Sequence, residues 1–222
     1  EKNPRYKFVK GDICDAKLVN SLIKEVDGII HFAAESHVDR SISSSTEFVR
    51  TNVIGTQVLL DAALRNGNKR FHYIGTDEVY GHLGSTGKFS EESPLQPRSA
   101  YSASKAGAEH LVRAFFHTHN LSITISSCCN NYGPYQNPEK LLPLFITNLI
   151  EGKKVPLMGK GENVREWLHV LDHCEAIDLI YHQGKIGETY CVGSGQEKTN
   201  WEITHFLLDA FGAGEEMINP VP

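Results

Sequence analysis

Arg70-Phe71-His72-Tyr73-Ile74-Gly75-Thr76-Asp77-Glu78 is the stretch that decides the fold. Arg70 to Ile74 reads as a buried strand. A glycine closes it, and three polar residues follow at its carboxyl end. Upstream, Thr46 to Asn66 keeps helical periodicity and stops at Asn66-Gly67. Downstream, Tyr101 to His119 does the same. Outside these helices lie two more short strands, Gly28 to Phe32 (GIIHF) and Ser122 to Ser127 (SITISS). Nearer the start, Tyr6 to Val9 reads as a strand, Gly11-Asp12 as a turn and Asp15 to Val26 as a helix. Strand and helix alternate, so the expectation is an α/β fold: a doubly wound parallel sheet with helices on both faces.

The pattern changes after Asn130. Pro134, Pro138 and Pro143 break the chain, a helix follows to Glu151, and Gly152 to Val164 is loop-rich. A helix from His173 to His182, with Asp172 as its N-cap, and a strand from Thr189 to Val192 come next. Thr199 and Glu202 have capping-box spacing and open a final helix to Phe211. The expected division is a nucleotide-binding domain over residues 1–133 and a smaller C-terminal substrate-binding lobe over 134–222. The chain starts just before a strand and has no G-x-G-x-x-G, so the first βαβ unit is expected to be missing and both ends truncated.

The 222 residues include 40% hydrophobic and 22% charged residues, an ordinary globular composition. A net charge of -5 argues against a nucleic-acid coat. No apolar run approaches a membrane span; Leu141 to Ile150 is far too short. Five cysteines, an odd number without CxxC, suggest reduced thiols and a cytoplasmic protein. His169 and His173 are four apart, but with Asp172 as a cap they need not share a face, and no metal site is expected.

Four constellations follow successive strands on the side where open α/β sheets bind ligands. In Tyr101-Ser102-Ala103-Ser104-Lys105, the i, i+4 spacing puts tyrosine and lysine on one helix face. A neighbouring ammonium favours the phenolate and turns tyrosine into a usable base. Thr76-Asp77-Glu78 offers two carboxylates able to divide acid and base roles. Ala33-Ala34-Glu35-Ser36-His37-Val38-Asp39-Arg40 lets backbone approach a flat ligand, or simply packs strand on helix, with His37, Asp39 and Arg40 as a local polar network. Asn130-Asn131-Tyr132-Gly133-Pro134 presents paired amides suited to a sugar, and is also a good turn sequence. Lys140 and Arg165 are candidate phosphate partners.

These motifs resemble the extended short-chain dehydrogenase/reductases and, within them, the dTDP-glucose 4,6-dehydratases. GDI (Gly11 to Ile13), HFAAESHVDRSI (His31 to Ile42), TDEVYG (Thr76 to Gly81), YSASK (Tyr101 to Lys105), NNYGPYQNPEKL (Asn130 to Leu141) and VREWLHVLDH (Val164 to His173) stand in family order and spacing. The resemblance implies a Rossmann-like sheet, NAD as cofactor and a lyase that makes dTDP-4-keto-6-deoxyglucose and water from dTDP-glucose. It implies that Tyr101, with Lys105 and Thr76, deprotonates the sugar 4-hydroxyl. Glu78 then removes the C5 proton, and Asp77 protonates the departing 6-hydroxyl. By the same match Asp12 and Ile13 touch the adenine end of NAD, and Ala33, Ala34, Ser36, Thr51 and Asn131 line its path beside Tyr101 and Lys105. The nucleotide sugar falls to Ser36, Thr76, Asn130 and Lys140. It continues along Leu141, Leu142, Pro143, Leu144 and Phe145, then Pro156, Leu157 and Met158, and ends on Arg165 and Asn200. A homodimer through Thr46 to Asn66 and Tyr101 to His119 is implied as well, with neither nucleic acid nor membrane as partner.

The chain departs from that pattern at Gly75, where serine is usual, at Ser127, where arginine is usual, and at Met158, where an aromatic is frequent. Other readings are a UDP-sugar 4,6-dehydratase, a nucleotide-sugar 4-epimerase or decarboxylase, and a non-catalytic fragment. Asp77-Glu78 favours the dehydratase, because a 4-epimerase or decarboxylase uses the Tyr-Lys pair but needs no adjacent Asp-Glu for C5 and C6 chemistry.

Overall fold

The computed structural model describes residues 3–84 and 86–221. They form two compact units, residues 1–127 with 178–191, and residues 128–177 with 192–222. The sequence drew a single boundary at 133/134; here the chain leaves the first unit at Ser127 and re-enters it from Asp178 to Cys191.

In the first unit, α1 (Ala16–Ile23) is capped by Asp15, whose carboxylate accepts from the Lys17 and Leu18 amides. β1 (Gly28–His31) follows. Two short helices, α2 (Val38–Ser43) and α3 (Ser45–Phe48), lead into a seven-residue π-helical stretch, Val49–Gly55, and then α4 (Thr56–Arg65). The expected helix from Thr46 to Asn66 is therefore continuous in path but locally widened, and α2 was not expected. β2 (Arg70–Thr76) ends in a 3-10 turn, Asp77–Tyr80, and α5 (Ala100–His119) leads to β3 (Ile123–Cys128).

The second unit begins with β4 (Asn130–Tyr132), α6 (Leu141–Ile150), β5 (Val155–Met158) and β6 (Val164–His169). α7 (Val170–Gln183) carries the chain back to the first unit, where β7 (Thr189–Val192) joins its sheet. β8 (Glu197–Thr199), α8 (Asn200–Phe211) and β9 (Ile218–Val221) complete the second unit.

The main sheet has four strands in the order β1-β2-β3-β7, with β1 and β2 parallel from Gly28↔Arg70 to His31↔Tyr73. Strand alternation sorts β2. Phe71 and Tyr73 enter a core with Leu60, Ala63, Val112 and Ile125 beneath α4 and α5. Phe71 is 0% exposed, and its burial contributes about 1.5–3 kcal/mol. On the opposite side the Arg70 guanidinium lies 5.4 Å from the Tyr181 ring centroid and donates to the Ile180 and Gly184 carbonyls, so the end of α7 covers that face. Buried His72 stays polar because both ring nitrogens are bonded, to Thr124 Oγ1 at 2.9 Å and Ser126 Oγ at 3.0 Å. A side chain at Gly28 would place its Cβ against the Tyr181 hydroxyl, which explains a glycine inside a strand. The architecture is the expected Rossmann-type α/β sheet with helices on both faces.

In the second unit β4 and β6 run parallel, β6 and β8 antiparallel, and β5 and β9 parallel. Its core gathers Phe145, Leu149, Val155, Leu207 and Leu208.

Several expectations are corrected. Tyr6 to Val9 is not a strand: it has no ladder partner among the described residues, and Tyr6 and Phe8 are exposed. Gly152 to Val164 is not merely loop, since β5 lies within it and pairs with a strand over 60 residues away, beyond the reach of local pattern. β4, β6, β8 and β9 were unread for the same reason. α7 starts three residues before His173, so Asp172 lies in the first turn and is not the cap; the Leu171 amide bonds His169 Nδ1 at 3.3 Å instead. The capping box holds: Glu202 N–H bonds Thr199 Oγ1 at 3.0 Å and Thr199 N–H bonds Glu202 Oε2 at 2.8 Å. Among the described residues no helix is long and apolar enough to cross a membrane, and no group of three or more His, Cys, Asp and Glu is placed to hold a metal.

Candidate active site

The site in the first unit grows from the carboxyl end of β2 and the first two turns of α5. Thr76 is buried, and its hydroxyl donates to Asp77 Oδ1 at 3.4 Å while accepting from the Glu78 amide at 3.4 Å. The 3-10 turn that follows leaves Asp77 and Glu78 half-buried, with Val79 and Tyr80 anchored beneath them. The turn closes on Gly81 at φ 91°, where a Cβ would strike the Gln96 carbonyl. Two carboxylates are thus held at a strand end by a rigid turn.

α5 begins at a capping box of Ser99 and Ser102. This fixes Tyr101 in the first turn and Lys105 one turn on, both buried. Lys105 Nζ donates to the Ile74 carbonyl at 2.6 Å and lies 4.4 Å from the Tyr73 ring centroid. A buried ammonium is tolerated only with such partners. Its bond to Ile74, two residues before Thr76, brings the Tyr-Lys face of α5 to the strand that carries the carboxylates. Phe48 meets the Tyr101 ring edge-on at 6.4 Å.

Asn52 links the other loop to this helix. Its side chain accepts from the Glu35 amide at 2.8 Å, donates to the Glu35 carbonyl at 3.0 Å, and donates to Ser104 Oγ at 2.8 Å. The loop after β1 is pinned there, while Ala33 and Ser36 are exposed and Ala34 half-buried. Asn52 was missed in the sequence, although a buried asparagine inside a helix is itself a signal, since its amide competes with backbone bonding. Tyr73 was read only as a strand residue.

Thr51 is half-buried beside Asn52. Asp12 accepts from the Cys14 amide at 2.8 Å and from Arg50 at 2.6 Å, and these bonds hold its carboxyl below the usual range. Ile13 packs inward against Gly55. His31 Nε2 contacts Thr56 Oγ1 at 2.9 Å; burial, and secondly the Lys105 charge, lower its pKa to about 3. The side chains of Asp39 and Arg40 lie outside the described residues.

The second unit carries the remaining sequence candidates. Asn130 and Asn131 lie on β4, and Asn131 donates to the Cys129 carbonyl at 3.1 Å. Lys140 stands at the start of α6. Leu141, Leu142, Pro143 and Leu144 are half-buried on its first turn, whereas Phe145 belongs to the core at 3% exposure. Pro156 and Leu157 are on β5, Leu157 buried and Met158 exposed at its end. Arg165 is exposed on β6, and Asn200 opens α8.

A tyrosine and lysine one helical turn apart, beside a carboxylate-bearing strand end in a Rossmann-type sheet, define a short-chain dehydrogenase/reductase type of site. The family model described as GDP-mannose 4,6 dehydratase matches residues 1–218, and the chain belongs to that family. It is 56% identical to a dTDP-glucose 4,6-dehydratase of Streptomyces antibioticus over 219 residues, 99% of this chain and 65% of the relative. The crystal structure of DesIV, a dTDP-glucose 4,6-dehydratase from Streptomyces venezuelae with NAD bound, matches with a TM-score of 0.96 at 52% identity, covering 99% of this chain and 68% of that one. A UDP-glucose 4-epimerase from Thermotoga maritima, solved with UDP-glucose, matches at 0.92 and 25% identity, covering 99% and 72%. The chain therefore spans about 65% of the length of the first of these relatives.

Proposed function

We propose that the protein is an NAD-dependent lyase that converts dTDP-glucose to dTDP-4-keto-6-deoxyglucose and water. The observation that carries this is the 2.6 Å bond from Lys105 Nζ to Ile74, which joins the tyrosine-lysine helix to the strand ending in Thr76, Asp77 and Glu78. NAD suits the residues present. The loop after β1 offers exposed small side chains, Asp12 a fixed carboxylate, and Lys105 an ammonium beside the end of β2. Ile13, turned inward on Gly55, would meet it through backbone alone.

NAD, when bound, accepts a hydride from the sugar C4 and returns it to C6. Tyr101 takes the 4-hydroxyl proton, with the Lys105 ammonium favouring its phenolate and Thr76 orienting the hydroxyl. The 4-ketone acidifies the C5 proton, which Glu78 removes. Asp77 gives a proton to the departing 6-hydroxyl, so one carboxylate is ionised while the other is protonated. In the second unit, Arg165 and Lys140 are the cations suited to the diphosphate, Asn130 and Asn200 the amides suited to the sugar, and exposed Met158 borders the base. Asn131 belongs to the NAD path.

A homodimer through the 45–65 helical segment and α5 accompanies this reading, supported by exposed Val49 and Ile54 on the former, and so does a cytoplasmic location. The test is a mass spectrum of the protein incubated with dTDP-glucose and NAD. The expected product is lighter by one water with no net NADH. An unchanged mass, or a change of sugar configuration without water loss, overturns the reading.

A further inference from the structure

Tyr73 is 1% exposed and lies on the face of β2 that meets α5. It touches Lys105 at both ends of that residue. The ring face sits 4.4 Å from the ammonium, and the hydroxyl donates to the Lys105 carbonyl at 3.3 Å. The ammonium also donates to the Ile74 carbonyl, on the residue next to Tyr73. Lysine has a long, flexible stem and shifts its proton readily when buried. At 5% exposure, water cannot hold the charge in place, so the protein must. A neutral aromatic face attracts a desolvated cation strongly without supplying a competing negative charge.

We propose that Tyr73 is a positioning residue for Lys105: its ring fixes the ammonium under Tyr101, and its hydroxyl ties the strand to the helix backbone at the same residue. This rests on the reading of Tyr101 and Lys105 as the catalytic pair. The Tyr73 hydroxyl stays protonated, because burial, then the nearby Glu109 and Tyr101, push its pKa well up. His31 from β1, held neutral by burial, feels the Lys105 charge, and Glu109 and Tyr101 from α5 face the Tyr73 hydroxyl. Asp77 and Glu78 lie on the turn packed against α5.

The test is the phenolate absorbance of Tyr101, isolated as the difference between the protein and its Tyr101→Phe form on each background, without ligand. Tyr73→Phe keeps the ring and leaves the Tyr101 midpoint where it is. Tyr73→Leu removes the ring and raises the midpoint by about 0.4 to 1.5 pH units. A midpoint unmoved by Tyr73→Leu overturns the proposal, even if the melting temperature falls, since a purely structural role predicts that pattern. If Tyr73→Leu does not fold, phenylalanines of increasing fluorination at position 73 keep the volume while weakening the ring face. The midpoint then climbs with each fluorine, and a flat series overturns the proposal. The titration needs neither NAD nor sugar, so failure of the dehydratase assay leaves its outcome independent.

Discussion

Acidification singles out His31. The Thr56 hydroxyl has one proton and donates it to the Asn52 carbonyl at 2.6 Å. His31 Nε2 must therefore be the donor in its 2.9 Å contact with Thr56, and Nδ1 is the atom that would take up a proton. Burial first, and the Lys105 charge second, disfavour the imidazolium and bring the native pKa to about 3. The unfolded chain protonates the same residue near 6.5. As pH falls, the unfolded state thus gains the proton first. The stability is fully present above about pH 6.5 and is lost progressively down to about pH 3. From pH 7 to pH 5 the loss is one and a half pH units at about 1.36 kcal/mol each, or about 2 kcal/mol. His31→Gln keeps a donor for Thr56 but cannot titrate, and serves as the reference. Both tryptophans, Trp167 and Trp201, lie in the second unit, so their fluorescence would follow the wrong part of the chain. Hydrogen exchange at the Phe71 and Ile125 amides, corrected for intrinsic rates, reads the sheet itself. Relative to His31→Gln, the native protein should lose about 2 kcal/mol on going from pH 7 to 5. If the difference changes by less than about 0.5 kcal/mol, His31 takes its proton in the folded state and the burial argument is wrong.

Glu78→Gln should slow water loss by about 100-fold or more while C4 oxidation still raises NADH absorbance; normal dehydration by this variant would assign the base elsewhere. Glu109 is fully buried and pairs with Arg113 at 2.8 Å, whose side chain is 34% exposed. Arg113→Met strands that carboxylate and should cost about 3 kcal/mol in denaturant unfolding, whereas Glu109→Gln, which leaves an arginine able to reach water, should cost clearly less. Thr199→Ala removes the cap of α8 and should cost about 1 kcal/mol, read by tryptophan fluorescence in the second unit.

The alternating strands and helices of the first unit were legible because each is long enough to show its period and each ends on a marked residue: Asp15, Asn66-Gly67, Ser99 or Asn120. The motif positions were legible too, and Lys105 does reach the strand of Thr76. Short strands were not. β4 and β8 have three residues each and owe their existence to partners far along the chain. Asn52 and Tyr73 escaped because their work is relational: neither forms a motif with a neighbour in sequence. Strand parity nevertheless puts Tyr73 with Phe71 on the helix-facing side, where an aromatic beside a buried lysine is foreseeable. Substrate-lining assignments such as Phe145 and Leu157 came from resemblance; Phe145 lies in the second unit's core, and Leu157 is buried on β5.

The widened helical stretch from Val49 to Gly55 also makes a statement about mutation by length rather than by identity. A π-helical turn takes up one residue more than the α-helix around it, so the spare residue is absorbed there, and Phe48 before it and Leu59, Leu60 and Ala63 after it all remain buried. Removing one residue there would let the helix run straight with α4 facing as before, whereas removing one from the start of α4, which has none to spare, would turn the rest by about 100° about its axis. After the first deletion Leu60 would stay against the sheet and Thr56 beside His31, but Asn52 lies inside the stretch, and the amide that clamps Glu35 to Ser104 would shift. A single-residue deletion scan along the chain should therefore find this segment better tolerated for folding than α4 or a core strand, with the loss falling on the Asn52 clamp.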